Sequence, residues 1–496
     1  MATFNSDGSQ GNVQTLVNGA ATGDIITIPS GTFSWTGTLT INKGVTLQGT
    51  GKTTSTIQNN NATSGMLAAT SDGDGHITLS NFGIQQVANN GGANGRQALV
   101  LDRNDATIYT VLIHDCKFDS NAIFNYMVFC AANGFVFWNC DFIGSGVNGL
   151  GGISMVCSKY GAGTSGSPYG WNTASTMGAL DTTGLRNTYI EDCTLSNAPT
   201  GGTNADDNAR MVFRYCTVTD AVVANHGQDT SQYGMRHDEI YNCTFHNVNG
   251  STLNVGGWMS CRGGTFAWHD NVIEAPPSGK ASYNLICQQI NRAGGPGSCQ
   301  TAHPANRQAG RGWSSGSSST SGNPVVAANG TGETSDPGYI WNNTGAGSGL
   351  SFVGIDQYSP DDCGNGQLDT LTFTCNITNG SNQITNVTIT TNAGFAVPPS
   401  VANNLDVTMG IYDSTGNFFA QGTTITGIAG TTLTLSNSAL SGGTGVSLKS
   451  GYITLGTDVI FGTPKPGYTP YTYPHPLRAG GTPFIQAVLR VSLVVH

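Results

Sequence analysis

Four arginines recur ahead of a repeated turn in the middle of the chain: Arg186 lies seven residues before Cys193, Arg210 six before Cys216, Arg236 seven before Cys243 and Arg262 nine before Asn271. If the segments that carry them stack, the four guanidinium groups rise along one face. Such a row is costly by like-charge repulsion unless counter-ions or a ligand meet it, and guanidinium forks match carboxylates in bidentate fashion. Acids and imidazoles gather in the same stretch: Asp206 and Asp207 precede Arg210, His226 and Asp229 precede Arg236, and His237, Asp238 and Glu239 follow it. Two chemistries fit this mixture. In proton abstraction beside a carboxylate, His226 or an arginine takes the proton while Arg236 or Arg262 stabilises the enolate. In glycosidic hydrolysis, two of Asp206, Asp207, Asp229 and Glu239 act as acid and base, about 5–5.5 Å apart for retention or about 6.5–9.5 Å for inversion. The bland account is that arginines pair with acids on adjacent turns and simply satisfy a polar surface.

The candidate catalytic set is therefore His226, Arg236, Asp207, Asp229 and Glu239, and the candidate substrate contacts are Arg186, Arg210, Arg262, Trp258 and Tyr233. Trp268, Trp313 and Trp341 are further candidate stacking platforms, although core packing is the commoner use of a tryptophan. Asp206, Asp207 and Asp229 also suit Ca²⁺, which prefers hard oxygen ligands. The nonapeptide calcium repeat is absent, and no other cofactor is expected.

These residues are spaced by a repeat. Five segments share a short apolar strand, a polar residue, Cys, a variable residue and an apolar one: IHDCKF (113–118), FWNCDF (137–142), IEDCTL (190–195), FRYCTV (213–218) and IYNCTF (240–245); a sixth, WHDNVI (268–273), has Asn in place of Cys. Cys116 to Cys140 is 24 residues, Cys193 to Cys216 is 23, Cys216 to Cys243 is 27 and Cys243 to Asn271 is 28, while Cys140 to Cys193 is 53, which is two turns or one turn with a long insertion. A period in the twenties with β-type sequence in each unit marks a solenoid, whose repeats bury their apolar sides only by stacking on their neighbours. The Cys or Asn after each strand then sits at a turn in an internal ladder of buried free thiols, which behave as small apolar groups. Cys287 with Cys299 and Cys363 with Cys375 lie in irregular segments and are the better disulfide candidates.

Composition agrees. With 70 Gly in 496 residues and only 10% charged residues, the chain lacks the Glu, Lys, Ala and Leu that helix surfaces need, and reads as all-β. A net charge of −10 and the absence of any basic block exclude nucleic acid as a natural partner. The opening MATFNSDGSQ lacks the basic and apolar regions of a signal peptide, and no apolar run reaches the roughly 20 residues that span a bilayer. The ending LRVSLVVH (489–496) is apolar and matches nothing before it.

The segment GDIITIPSGTFSWTGTLTINKGVTLQGTGKTTSTI (23–57) resembles the first turns of the pectate-lyase-like right-handed parallel β-helix superfamily, and FRYCTVTDAVVANHGQDTSQYGMRHDEIYNCTFHN (213–247) resembles its central turns with Cys in the Asn ladder. The resemblance covers roughly residues 10–290 and returns at GTPKPGYTPYTYPHPLR (462–478). It implies an all-β, right-handed parallel β-helix in a superfamily of polysaccharide lyases, glycoside hydrolases and phage tailspike-like proteins. The expected organisation is a cap with the first turns at 1–60, the β-helix at 61–367, an inserted small β-sandwich-like module at 368–450, and a return to the β-helix with a tail at 451–496. A Gly/Ser/Thr-rich excursion at 144–183 reads as a loop flanking a groove, and His475, between two prolines, reads as part of a clamp over the helix end. The expected partner is an acidic polysaccharide, met outside a cell or on a virion surface, with a homo-oligomer such as a trimer compatible. The alternative is a non-catalytic structural or adhesive surface or tail-fibre protein that binds glycans or assembles with itself.

Overall fold

The computed structural model describes residues 1–479 apart from 62–64, 72, 88–96, 104–108, 122–126, 145, 147–155, 160–183, 185–186, 207–208, 226–234, 249–257, 262, 276–284, 290–309, 314–318, 321–322, 325–332, 351–352, 358–369, 391–404, 406, 408, 414 and 452–453. Several strand residues, among them 156–159, 206 and 285–289, are described by backbone alone. The chain is a right-handed parallel β-helix with an inserted antiparallel module, as the repeat and the resemblance imply.

Two long parallel sheets form the solenoid. The first has twelve strands, running through Ile77–Ser80, Val111–His114, Val136–Trp138, Thr188–Glu191, Arg210–Arg214, His237–Tyr241, Thr265–His269, Gly338–Trp341 and Val459–Phe461. Its pairing sets Ile113, Phe137, Ile190, Phe213, Ile240, Trp268 and Ile340 in one inward row, each at most 1% exposed. Strands stack about 4.8 Å apart, so one apolar residue per turn suffices to keep this row continuous.

The cysteine column is where the period puts it. Cys116, Cys140, Cys193, Cys216 and Cys243 are buried free thiols, and burial pushes the Cys116 thiol up to about 12. Each follows a residue in the left-handed region: Asp115 (φ 52°), Asn139 (52°), Asp192 (51°), Tyr215 (55°) and Asn242 (54°). That conformation turns the chain sharply from the first sheet into the second, and Asp and Asn tolerate it best. Neighbouring turns are tied through the column. The Cys216 N–H donates to the Cys243 Sγ at 3.5 Å, the Cys243 N–H to the Asn271 Oδ1 at 2.9 Å, and the Asn271 N–H to the Asn343 Oδ1 at 3.0 Å. Asn343 thus continues the ladder one turn beyond the six segments read from sequence.

The second sheet has seventeen strands in two ladders. One follows the cysteine turns. The other includes Leu67–Ser71, Leu99–Arg103, Val128–Cys130, Val156–Lys159, the last residues of Thr194–Asp206 and of Thr217–Asn225, then Met259–Cys261, Leu285–Gln289 and Val353–Gln357. At the N-terminal end, the helix Gln10–Gly19 lays Val13 and Val17 on the core, with Ser9 as its N-cap.

Six antiparallel strands between Thr370–Ile377 and Gly443–Gly451 form the inserted module around a core of its own that includes Phe373, Ile384, Leu433 and Leu448. The next strand, Val459–Phe461, pairs in parallel with Gly338–Trp341, so the solenoid resumes after the module. Cys375 is a free, buried thiol in the module, and its sequence-nominated partner Cys363 lies outside the described residues.

Candidate functional site

The outer face of the first sheet is polar and covered. Its row reads His114, Trp138, Glu191, Arg214, Tyr241, His269 and Trp341 on successive turns. Over it lies the segment that follows Val459–Phe461. The Arg214 guanidinium, at 0% exposure, donates through Nε to Glu191 Oε1 at 2.8 Å, to the Tyr241 hydroxyl at 2.6 Å, and to the backbone carbonyls of Tyr471 and Thr472 at 2.7 and 2.8 Å. The Glu191 Oε2 accepts from the His475 N–H at 3.1 Å and from Arg478 at 3.0 Å. Tyr473 stacks on Tyr215 at 3.7 Å and donates to Asp192 at 2.6 Å. His475 is therefore part of a clamp, one that lies along the sheet face. Its imidazole is lowered to about 3 by burial and by Arg214 and Arg478 beside it.

Of the four arginines read from sequence as a row, the two described members, Arg210 and Arg236, do not align. Arg210 pairs in register with His237, and the Arg236 N–H donates to the Ala209 carbonyl at 3.0 Å, so the two arginines are one residue out of step. The offsets of six and seven residues from the ladder carry that difference. Neither side chain is on an open surface: Arg210 is 0% and Arg236 2% exposed, with Arg236 Nη1 3.5 Å from Asp336. Glu239, at 3% exposure, is held by His237 Nε2 at 3.0 Å and by the Tyr468 hydroxyl at 2.7 Å. Trp258 is packed in the core at 0% exposure, with Nε1 donating to the Glu274 carbonyl at 3.3 Å. Trp268 is in the inward row. Arg186, Asp207, His226, Asp229, Tyr233 and Arg262 lie outside the described residues.

A second constellation follows from the other ladder. Its strands place Asp102, Lys159, Asp206, Gln288 and Asp356 at a single offset on their turns, with Lys159 directly beside Asp206 and Gln288 directly beside Asp356. The position before it is inward and sealed: Leu101, Cys130, Ala205, Asn225 and Cys261 are all 0% exposed. Asp102 itself is half-buried, and burial pushes its carboxyl above the usual range. Only residues 207–209 separate Asp206 from Arg210, whose N–H donates to Asn133 Oδ1 at 3.2 Å, so this row and the buried arginines meet at one corner of the solenoid. Lys159 went unnoticed in the sequence because it sits inside the Gly/Ser/Thr-rich stretch read as a loop; Val156–Lys159 is a strand.

Asp238, also near this corner, faces the interior. It aligns with Met211 and Phe266, is 0% exposed, and accepts from Asn225 Nδ2 at 3.4 Å. Burial pushes its carboxyl up to about 7, so near neutrality it is substantially protonated. Among the described residues no group of three or more His, Cys, Asp or Glu is placed to hold a metal ion. Of the candidate calcium ligands, Asp207 and Asp229 are outside those residues and Asp206 is described by backbone alone. No helix among the described residues is long and apolar enough to cross a membrane.

The strand pairings define the fold as a parallel β-helix. No family model matches the sequence, and no curated protein matches it either. Among solved structures, the chain is similar to an alginate lyase from Paenibacillus sp. str. FPU-7 (12% identity, 72% of this chain and 98% of that one, TM-score 0.35). It is also similar to a mannuronic acid specific polysaccharide family 6 lyase from human gut microbiota (11% identity, 73% and 77%, TM-score 0.40) and to a family 6 polysaccharide lyase from Pseudopedobacter saltans (12% identity, 72% and 78%, TM-score 0.40). At these TM-scores the likeness carries no argument about activity, and the fold stands on the chain's own strand pairings.

Proposed function

We propose that this protein binds and cleaves an acidic polysaccharide along the Asp102–Asp356 row of the second sheet. The observation that supports the reading is the register, which sets Asp102, Lys159, Asp206, Gln288 and Asp356 at one offset, with Ala131 taking that position on the Val128–Cys130 turn. A linear polymer with a carboxylate on each sugar repeats in one dimension as the ladder does, and cations on such a strip meet it without a folded pocket. His226 and Arg262, the base and the cation nominated by the sequence, follow Asn225 and Cys261 directly in the chain.

The reaction that suits these groups best is β-elimination. Lys159 and Arg262 neutralise the uronate carboxylate, which acidifies the neighbouring C5–H. His226 takes that proton, the C5–H electron pair becomes the C4=C5 double bond, and the C4–O4 bond breaks with the leaving oxygen taking a proton from water. A polymer of this kind is met outside a cell or on a virion, in keeping with the setting expected from sequence.

The test is to incubate the protein with a panel of uronate polymers, following ultraviolet absorbance for unsaturated ends and, separately, reducing ends for hydrolysis. Unsaturated product that is lost in Lys159→Ala and His226→Ala supports the reading. Reducing ends without unsaturation would replace elimination by hydrolysis, and binding without either product would leave the adhesive alternative.

A further inference from the structure

Five titratable groups form an unbroken chain between the first sheet and the segment that covers it. His237 Nε2 lies 3.0 Å from Glu239 Oε1, Glu239 Oε2 lies 2.7 Å from the Tyr468 hydroxyl, that hydroxyl lies 3.0 Å from His269 Nε2, and His269 Nδ1 lies 2.6 Å from Asp270 Oδ2. Each contact is a hydrogen bond only if one proton sits in it, so four contacts need four protons. Two neutral imidazoles and a phenol supply three, and two carboxylates supply none. With three protons, one contact sets two lone pairs face to face at hydrogen-bond distance in a site where His237, Glu239 and His269 are each 3% exposed, an arrangement that burial makes costly.

We propose that this chain is a proton-dependent clasp: it holds one proton beyond those of its neutral imidazoles and phenol, and that proton keeps the 462–478 segment docked on the first sheet. The surroundings favour the His269 end. Arg236 and Lys465 face His237 and oppose a second proton there, whereas His269 meets the Asp270 carboxylate and the more distant Glu239. The His269 ring is also stacked between Tyr241 at 4.8 Å and Trp341 at 4.1 Å, faces that attract a cation. Arg214 is engaged at the far side of Tyr241, through the Tyr241 hydroxyl. Burial lowers the proton affinity of both imidazoles even with the neighbouring carboxylates beside them. The bond count decides against it, because the proton belongs to the coupled chain and not to either ring.

The sign follows from linkage. Docked, the chain binds one proton that the undocked groups give up above the ordinary His range, so docking is fully stabilised below about pH 6.5 and weakens as pH rises through the value of the docked chain. Between about pH 6.5 and that value the opening equilibrium grows about tenfold per pH unit, and above it the profile levels off.

Two substitutions separate this from a merely structural contact. In Glu239→Gln the amide supplies the missing proton: its oxygen accepts from His237, its nitrogen donates to Tyr468, Tyr468 donates to His269, and all four contacts are satisfied by neutral side chains and Asp270. In Tyr468→Phe the two central contacts vanish, and the two that remain need only the two protons the imidazoles carry. The measurement is the rate at which chymotrypsin cuts the full-length protein after Tyr468 and Tyr471 between pH 6.5 and 9, corrected for the enzyme's own pH profile on an unfolded peptide. The wild type should become more susceptible as pH rises. Glu239→Gln should stay protected with a flat profile, and Tyr468→Phe should be more susceptible at every pH, also with a flat profile. A wild-type profile as flat as that of Glu239→Gln, or a slope that survives in both variants, would overturn the proposal.

Discussion

The two long sheets carry charge on their outer faces in opposite ways. On the first sheet, Glu191 and Arg214 are both fully buried, and each finds further partners in the 471–478 segment. On the second, the row begins with Asp102, which is half-buried and whose carboxyl is shifted by burial more than by any charged partner. A buried, saturated network defines architecture, because removing any member leaves the rest desolvated. Asp102, half-buried, has one side open to the solvent, where a ligand can reach it. A high density of Arg, Glu and His is therefore a poor guide to a ligand-binding face, since the cluster around Glu191 and Arg214 fastens the chain to itself.

The largest test of that contrast is Glu191→Ala. It strands the Arg214 guanidinium under Tyr471 and Thr472, and stability in denaturant titration should fall by about 3–5 kcal/mol. Next, Lys159→Ala should lower cleavage of a uronate polymer by roughly 100-fold while the melting temperature stays within a degree or so of wild type. An equal loss of stability would move Lys159 to the architectural side of the contrast.

Asp238→Asn probes the interior of the same corner. The folded carboxyl sits at about 7, above its unfolded value, so the native state holds the extra proton and wild-type stability declines as pH rises from about 4 toward 7. The amide cannot ionise, so the variant should gain on the order of 2 kcal/mol over wild type at pH 8 and little at pH 4, read from denaturant midpoints at both pH values. The smallest effect is expected at the ladder. Asn271→Ala leaves the Cys243 N–H without its acceptor and should cost about 1–2 kcal/mol, whereas a change confined to the exposed neighbour Asp270 should spare the ladder.

What the sequence showed and what it hid follow from the range of the interactions. The cysteine column was legible because its period is local: one strand, one left-handed residue and one small side chain recur every 23 to 28 residues, apart from the 53 between Cys140 and Cys193. Asn343 escaped because a long excursion separates it from Asn271, although IWNNTG (340–345) has the same form. Arg210 and Arg236 missed each other by a single residue of register, which their offsets of six and seven from the ladder already contained. The partners of Glu239 and Arg214 were out of reach, since Tyr468 lies 229 residues from the first and Tyr471 257 residues from the second. No pattern in either segment announces that meeting.

Those separations also set an order of events during synthesis. Arg214 leaves the ribosome 257 residues before the Tyr471 carbonyl that caps it, an interval on the order of tens of seconds at ordinary elongation rates. Through that interval the growing solenoid carries an uncovered stripe of ionic and aromatic groups, and the six-stranded module must be threaded out before the stripe is sealed. The covering segment is thus made after the module, so a chain interrupted inside the module would leave Glu191 and Arg214 without their partners in it.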